Sequence, residues 1–202
     1  MVISLGRGML PCFLGDNESF FNIIPGDMVV NAIIAAMVNH SNNNIFSGDK
    51  DRYIYHISSS THKEQTSIIK LLSFAYDYFR ENPWMDGDSS EIVKPVFFPT
   101  MTSFREHIHT NFVVPKKEQK VQFATRLAEI YEPYLLFKGT CDCSATDELR
   151  IWTKAYYGTG EAELFDFDPK RIDWKDYIKN VHIPGVMKYV VKPHVGRYKS
   201  KL

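Results

Sequence analysis

Tyr134 and Lys138 stand four residues apart in Tyr134-Leu-Leu-Phe-Lys138. One helical turn would bring a phenol and an ammonium onto one face, where the cation eases proton transfer from the phenol to a carbonyl. In 202 residues with 11 Tyr and abundant Lys, roughly one such spacing arises by chance. This one follows Pro133 among apolar residues, with no serine partner upstream. The pair is read as structural: Tyr134 buried against neighbouring helices, Lys138 reaching outward from a last turn, and Gly139 just past the helix end. Gly6-x-Gly8 and Gly158-x-Gly160 are the two Gly-x-Gly pairs. Neither has the third glycine, nor the strand and helix on either side that a dinucleotide loop needs, so no cofactor-binding residue is assigned. His107 and His109 would point apart on a helix, and Cys141 with Cys143 lacks a second pair, so no metal site is assigned. Asp166, Asp168 and Asp173 read as caps for a last helix rather than as acids and bases. No Ser-His-Asp or Cys-His order stands out. No catalytic residue is assigned.

The elements that would position these groups are mostly helical. Pro25-Gly26-Asp27 opens an apolar helix over about 27–40, apolar nearly all round and so expected to be buried on more than one side. Tyr53-Ile-Tyr-His-Ile57 has strand propensity, ending in Ser58-Ser-Ser60, with His56 as a buried histidine bonded to backbone. A buried helix feeding a short strand is the last unit of an α/β sheet whose earlier strands are missing, so the chain reads as beginning mid-domain. Further on, Ile68, Leu71, Leu72, Ala75, Tyr78 and Phe79 share a helical face that Asn82-Pro83 stops. Residues 92–98 read as extended; Thr102-Ser103 caps a helix to about Phe112, which Pro115 ends. Residues 116–138 form another, kinked or divided by Pro133. Thr146–Tyr156 is closed by Gly158-Thr-Gly160, and Asp173 opens a last helix bent at Pro184-Gly185.

Composition bounds the function. The chain balances 24 Lys and Arg against 24 Asp and Glu, so no global field attracts nucleic acid, and no nucleic-acid partner is expected. With 44% apolar and 24% charged residues it is globular. Its 14 Phe, 11 Tyr and 3 Trp demand a core or an apolar pocket. Cys12, Cys141 and Cys143 are odd in number and favour a reducing, intracellular compartment. The N-terminus shows no signal-peptide pattern, and the apolar run Met28–Val38 is short of the roughly 20 residues of a membrane helix. Lys188, Lys192, Arg197, Lys199 and Lys201 make a tail without acids, either solvated or in peripheral contact with an anionic membrane.

Several segments together resemble one family. Gly6-Arg-Gly-Met-Leu-Pro11, Asn22-Ile-Ile-Pro-Gly-Asp27 with the helix after it, and Ile54-Tyr-His-Ile-Ser-Ser59 resemble the end of the reductase domain of plant-type alcohol-forming fatty acyl-CoA reductases. Phe79-Arg-Glu-Asn-Pro-Trp84, Tyr131-Glu-Pro-Tyr134 through Gly139, Phe165-Asp-Phe-Asp-Pro169, Ile172-Asp-Trp-Lys-Asp-Tyr177 and His182-Ile-Pro-Gly-Val-Met-Lys-Tyr189 resemble that family's C-terminal male sterility domain.

The resemblance implies an α+β, mostly helical chain. Residues 1–60 would be the remnant of an extended short-chain dehydrogenase (Rossmann-like) domain, and 61–202 the helical male sterility domain. It implies NADPH-dependent reduction of long-chain fatty acyl-CoA to a primary alcohol, for wax, cutin, suberin or pollen-wall lipid, at the endoplasmic reticulum or in a plastid. The family's glycine loop and Tyr-x-x-x-Lys have no counterpart here, and Tyr134/Lys138 falls inside the male sterility motif. The chain alone is therefore expected to bind no NADPH and to be inactive. The alternative is a non-catalytic helical binding or interaction module derived from the reductase. Arg7, Ser58 and Ser59 are the substrate-pocket candidates. Arg7 would meet a CoA phosphate or else be an exposed loop arginine, and the helices of 62–138 offer either an acyl channel or plain core.

Overall fold

Side-chain periodicity, cap chemistry and turn residues make this chain a succession of helices in a computed structural model that describes residues 1–10, 12–41, 54–61, 66–84, 92–112 and 118–191. The helices are α1 (Val2–Gly6), α2 (Gly26–Ser41), α3 (Ile68–Glu81), α4 (Met101–Phe112), α5 (Glu118–Leu135), α6 (Ser144–Ala162), α7 (Trp174–Asp176) and α8 (Ile183–Tyr189). Among the described residues the one sheet is two-stranded, β1 (Cys12–Leu14) beside β2 (Val96–Phe98). No helix among them is long and apolar enough to cross a membrane. The chain divides into two compact units, one of Met1–Cys12, Lys70–Val96 and Asp173–Leu202, the other of Phe13–Ile69 and Phe97–Ile172.

In the first unit Leu71, Leu72, Ala75 and Phe79 of α3 are buried, as their spacing requires. The ring of Phe79 lies over Gly6 so closely that a Cβ there would fall 2.6 Å from Cζ. Only a residue without a side chain lets α1 approach that ring. Asp173 caps α7, its Oδ1 accepting from Asp176 N at 3.0 Å. The chain then winds as a π-helix over Tyr177–His182 and continues as α8. The expected bend at Pro184-Gly185 is absent: Pro184 sits in the first turn of α8, where a missing N–H is tolerated. The wider winding just before it makes room for a ring that would otherwise strike the carbonyl four residues back. Lys188 lies over the Tyr189 ring at 4.8 Å, while Lys192, Arg197, Lys199 and Lys201 lie outside the described residues.

In the second unit α2 packs on α6, with Ala32 and Ala35 against Leu149 and Phe167, flanked by Met28, Ala36, Tyr55, Ile57 and Trp152. The expectation that α2 is buried on more than one side fails. Val30 and Ile33 are each 53% exposed and Met37 67%, with Ile34 beside them, because only the small-residue face meets α6. The strand expected at 53–57 also fails: Tyr53 lies outside the described residues, and Ile54–Ile57 form no strand. No strand runs beside this segment among the described residues, so its backbone bonds go elsewhere. The His56 carbonyl accepts from Thr146 Oγ1 at 2.8 Å, and the His56 side chain is exposed. Among the described residues the architecture is thus mostly helical with one two-stranded sheet.

Local chemistry moves several boundaries. The cap of α4 is Thr100, whose Oγ1 accepts from Ser103 N at 3.2 Å, not Thr102 or Ser103, while Pro115 lies outside the described residues. Pro133 divides nothing: α5 runs through it to Leu135. The helical winding of α6 is interrupted at Gly158, whose φ of 75° suits glycine.

The Gly6–Phe79 contact gives a direct test. Gly6→Ala is expected to destabilise the protein by about 1–3 kcal/mol, the usual cost of overpacking. Phe79→Leu in the same chain should return part of that loss in urea unfolding.

Candidate functional site

The second unit holds an aromatic pocket of about 500 Å³ beside the end of α5, lined by Phe20, Phe21, Asn22, Tyr131, Tyr134 and Phe137, with Pro133 between the tyrosines. Two backbone bonds fix the wall opposite α5. Phe20 N donates to Phe137 O at 3.0 Å, and Phe21 N donates to Thr66 O at 2.9 Å. The rings therefore stand on a clamped segment, and the volume falls in the range of small-molecule sites.

Asn22 is the one amide side chain of the lining, and serines hold it. Ser60 Oγ donates to Asn22 Oδ1 at 2.9 Å, and Ser58 Oγ lies 3.3 Å from the same oxygen. Ser60 Oγ in turn accepts from Cys141 N at 3.1 Å, and Ser59 Oγ accepts from Ile23 N at 3.2 Å. Ser58 and Ser59 are both buried; neither lines the pocket, and they position the segment that does. With Oδ1 occupied, the Nδ2 amine of Asn22 is its open donor: it donates to no group among the described residues. Arg7 lies in the first unit as the C-cap of α1, its guanidinium 4.7 Å from the centre of the Trp84 ring, a cation–π stack.

Tyr134 and Lys138 separate as a structural pair should, though not as expected in detail. Tyr134 is 65% exposed and lines the pocket instead of being buried. Lys138 lies past the end of α5 and outside the lining. Its Nζ is 2.8 Å from Asp16 Oδ2 and 2.9 Å from Glu18 Oε2. Those two carboxylates raise the lysine's pKa, Asp16 first, and the same hydrogen bond lowers that of Asp16. An ammonium held between two acids does not tune a phenol. Gly139 is no left-handed cap: its φ is not positive, and its missing side chain leaves room for the Phe137 ring, 2.5 Å from where a Cβ would stand.

The other candidates resolve into structure. Around Gly6 and Gly8 the amides are already used, Arg7 N on Ile3 O, Gly8 N on Leu5 O, and both Met9 N and Leu10 N on Ser4 O. No run of free N–H groups remains there to cradle a pyrophosphate, so this stretch does not fit NADPH. Asp166 Oδ2 pairs with Arg171 at 3.0 Å, and Asp168 caps the turn Pro169–Arg171 while pairing at 3.3 Å with the buried Arg150, which also pairs with Asp147. Asp173 alone caps the last helix. No group of three His, Cys, Asp or Glu residues among those described could hold a metal ion. Sequence reasoning missed Phe20, Phe21 and Asn22. An aromatic pair followed by an amide was the available signal, but nothing in its spacing says which way the rings face.

The arrangement is thus a largely apolar pocket with one amide donor, in a chain whose described residues are mostly helical. Residues 104–193 match the family model described as male sterility protein. The chain is 36% identical over 95% of its length to fatty acyl-CoA reductase 1 of Arabidopsis thaliana, and 33% identical over 92% to the alcohol-forming fatty acyl-CoA reductase of Simmondsia chinensis. A chloroplastic fatty acyl-CoA reductase 2 of Arabidopsis thaliana is 31% identical over 95%. The resemblance of the motifs is borne out: the chain is similar to plant fatty acyl-CoA reductases over nearly all of its own length. It spans 42% and 41% of the first two of these relatives.

Two measurements check this electrostatic and thiol landscape. Asp16, with its pKa lowered in the fold, contributes stability above its unfolded pKa that disappears as pH falls through the folded one; Lys138, with its pKa raised, contributes stability below its unfolded pKa that disappears as pH rises through the folded one. Lys138→Met should therefore cost most near neutrality and least at both extremes in urea midpoints taken across pH. Burial pushes the Cys12 thiol up to about 11 and raises that of Cys143. At neutral pH a maleimide should label half-buried Cys141 first and reach Cys12 only after unfolding.

Proposed function

We propose that this chain is the carboxy-terminal part of an alcohol-forming fatty acyl-CoA reductase, and that it shapes a lipid pocket for chemistry carried out by groups outside it. The observation that carries this reading is similarity over 95% of the chain to reductases of which it spans 42%. Reduction of an acyl thioester to a primary alcohol needs two hydride equivalents and releases CoA. NADPH supplies the hydride when bound, and a proton donor must meet the developing alkoxide. Among the described residues, the Gly6–Leu10 stretch offers no pyrophosphate cradle and Lys138 does not tune the Tyr134 phenol. What the chain's own residues provide is apolar walls, an amide donor and exclusion of water around an alkyl chain.

The test joins the chain to the remainder of the Simmondsia chinensis reductase in place of that protein's matching segment. The fusion should form fatty alcohol from stearoyl-CoA and NADPH, read by gas chromatography, while the 202-residue chain alone should form none. Alcohol from the chain alone, or none from a folded fusion, overturns the reading. The exposed stripe Val30, Ile33, Ile34 and Met37 favours a second reading, an interaction module docking on a separate reductase polypeptide, because surface apolar patches mark contact faces. Under it, the chain and the remainder mixed as separate polypeptides should also produce alcohol, and Ile33→Lys should prevent this.

A further inference from the structure

The pocket at the end of α5 is walled by rings from two stretches: Phe20 and Phe21 on the clamped segment, Tyr131 and Tyr134 on the helix end with Phe137 just past it. Such walls favour a hydrocarbon and reject ions. The nearest cation in sequence, Lys138, is bound to Asp16 and Glu18, so the lining carries no charge with which to meet a phosphate. Besides the two tyrosine hydroxyls the lining offers one amide donor, Asn22 Nδ2, because Ser60 and Ser58 engage Oδ1. That geometry presents a donor, fixed in direction, to a ligand with one accepting oxygen.

We infer that this pocket binds a long-chain primary alcohol, its hydroxyl oxygen accepting from Asn22 Nδ2 and its alkyl chain lying against Phe20, Tyr134 and Phe137. The inference rests on the reductase reading for the choice of an alcohol, and it adds a place where the uncharged product is held apart from the CoA moiety. Asn22 and Tyr134 bind and do not catalyse. Affinity comes from apolar burial and discrimination from the single amide, since an oxygen-free chain leaves that donor unpaired.

The experiment displaces the uncharged fluorescent probe diphenylhexatriene from the 202-residue chain, without NADPH. Competitors are octan-1-ol, decan-1-ol, dodecan-1-ol, decane and free CoA. Each added methylene should tighten alcohol binding by about fourfold until the pocket is full. Decan-1-ol should beat decane by about tenfold, the loss expected when a buried donor goes unpaired, and CoA should not compete. Asn22→Leu should erase the difference between alcohol and alkane while retaining alkane binding. Tyr134→Glu, at an exposed position the fold tolerates, should weaken every alkyl ligand by about tenfold or more, whereas Tyr189→Glu should not. Absence of saturable displacement, indifference to Tyr134→Glu, or an alcohol preference surviving Asn22→Leu overturns the proposal. Because binding is read without turnover, an inactive fusion with intact alcohol binding removes the reductase reading and leaves the pocket, and the converse result removes the pocket alone.

Discussion

Every buried backbone N–H and C=O must find a partner, and among the described residues the sheet that could serve them is only two short strands. Side chains and single crossed bonds take over that work in the second unit. Thr146 bonds the carbonyl of His56, Ser59 takes the amide of Ile23, and Ser60 takes the amide of Cys141. Phe20 and Phe21 reach Phe137 and Thr66 through their own amides. The hydroxyls of 58–60 therefore act as a hub joining stretches far apart in sequence. The position of Asn22, and with it the chemistry of the pocket, is a by-product of satisfying backbone groups around it.

Two of the motifs that carry the resemblance to the reductases are folding devices when seen in place. In Phe165-Asp-Phe-Asp-Pro169, Phe167 is buried against α2 and α6, and Asp168 both caps the following turn and neutralises the buried guanidinium of Arg150. In Asp173-Trp-Lys-Asp-Tyr177 the aspartate caps a helix and the tryptophan is buried. Leaving the guanidinium of Arg150 without its carboxylates would strand a buried charge, which costs about 3–5 kcal/mol. These two motifs thus build the scaffold, whereas Tyr131-Glu-Pro-Tyr134 through Gly139, and Asn22 at the head of another, wall the pocket.

The legible parts of the fold were those decided locally. The face of α3 follows from 3.6-residue spacing, α2 was read within a residue or two of its ends, and Asp173 was visible as a cap because an acid preceded a helical run. The strand at 53–57 was misread because strand propensity needs a neighbour to pair with, and propensity cannot report whether one is there. The exposure of Ile33 and Met37 escaped for a related reason: an apolar helix declares that its faces want burial, not which of them obtains it. Tyr134 was expected inside because it follows Pro133 among apolar residues. It stands instead at a pocket mouth, where a ring can be half wet and still wall an apolar space.

The π-helical winding at Tyr177–His182 changes how the end of the chain can be counted. Trp174, Ile178 and Ile183 are all buried, at spacings of four and then five. In an unbroken α-helix a step of five turns a side chain about 140° away from its predecessor, so an ordinary helical wheel would place Ile183 on the wet side. The wide turn absorbs the surplus residue and returns Ile183 to the interior. One residue deleted between Ile178 and Ile183 would restore the usual spacing and leave both isoleucines facing inward. Length can therefore vary by one at this point while the core keeps its composition, and the winding is a natural place for related chains to gain or lose a residue.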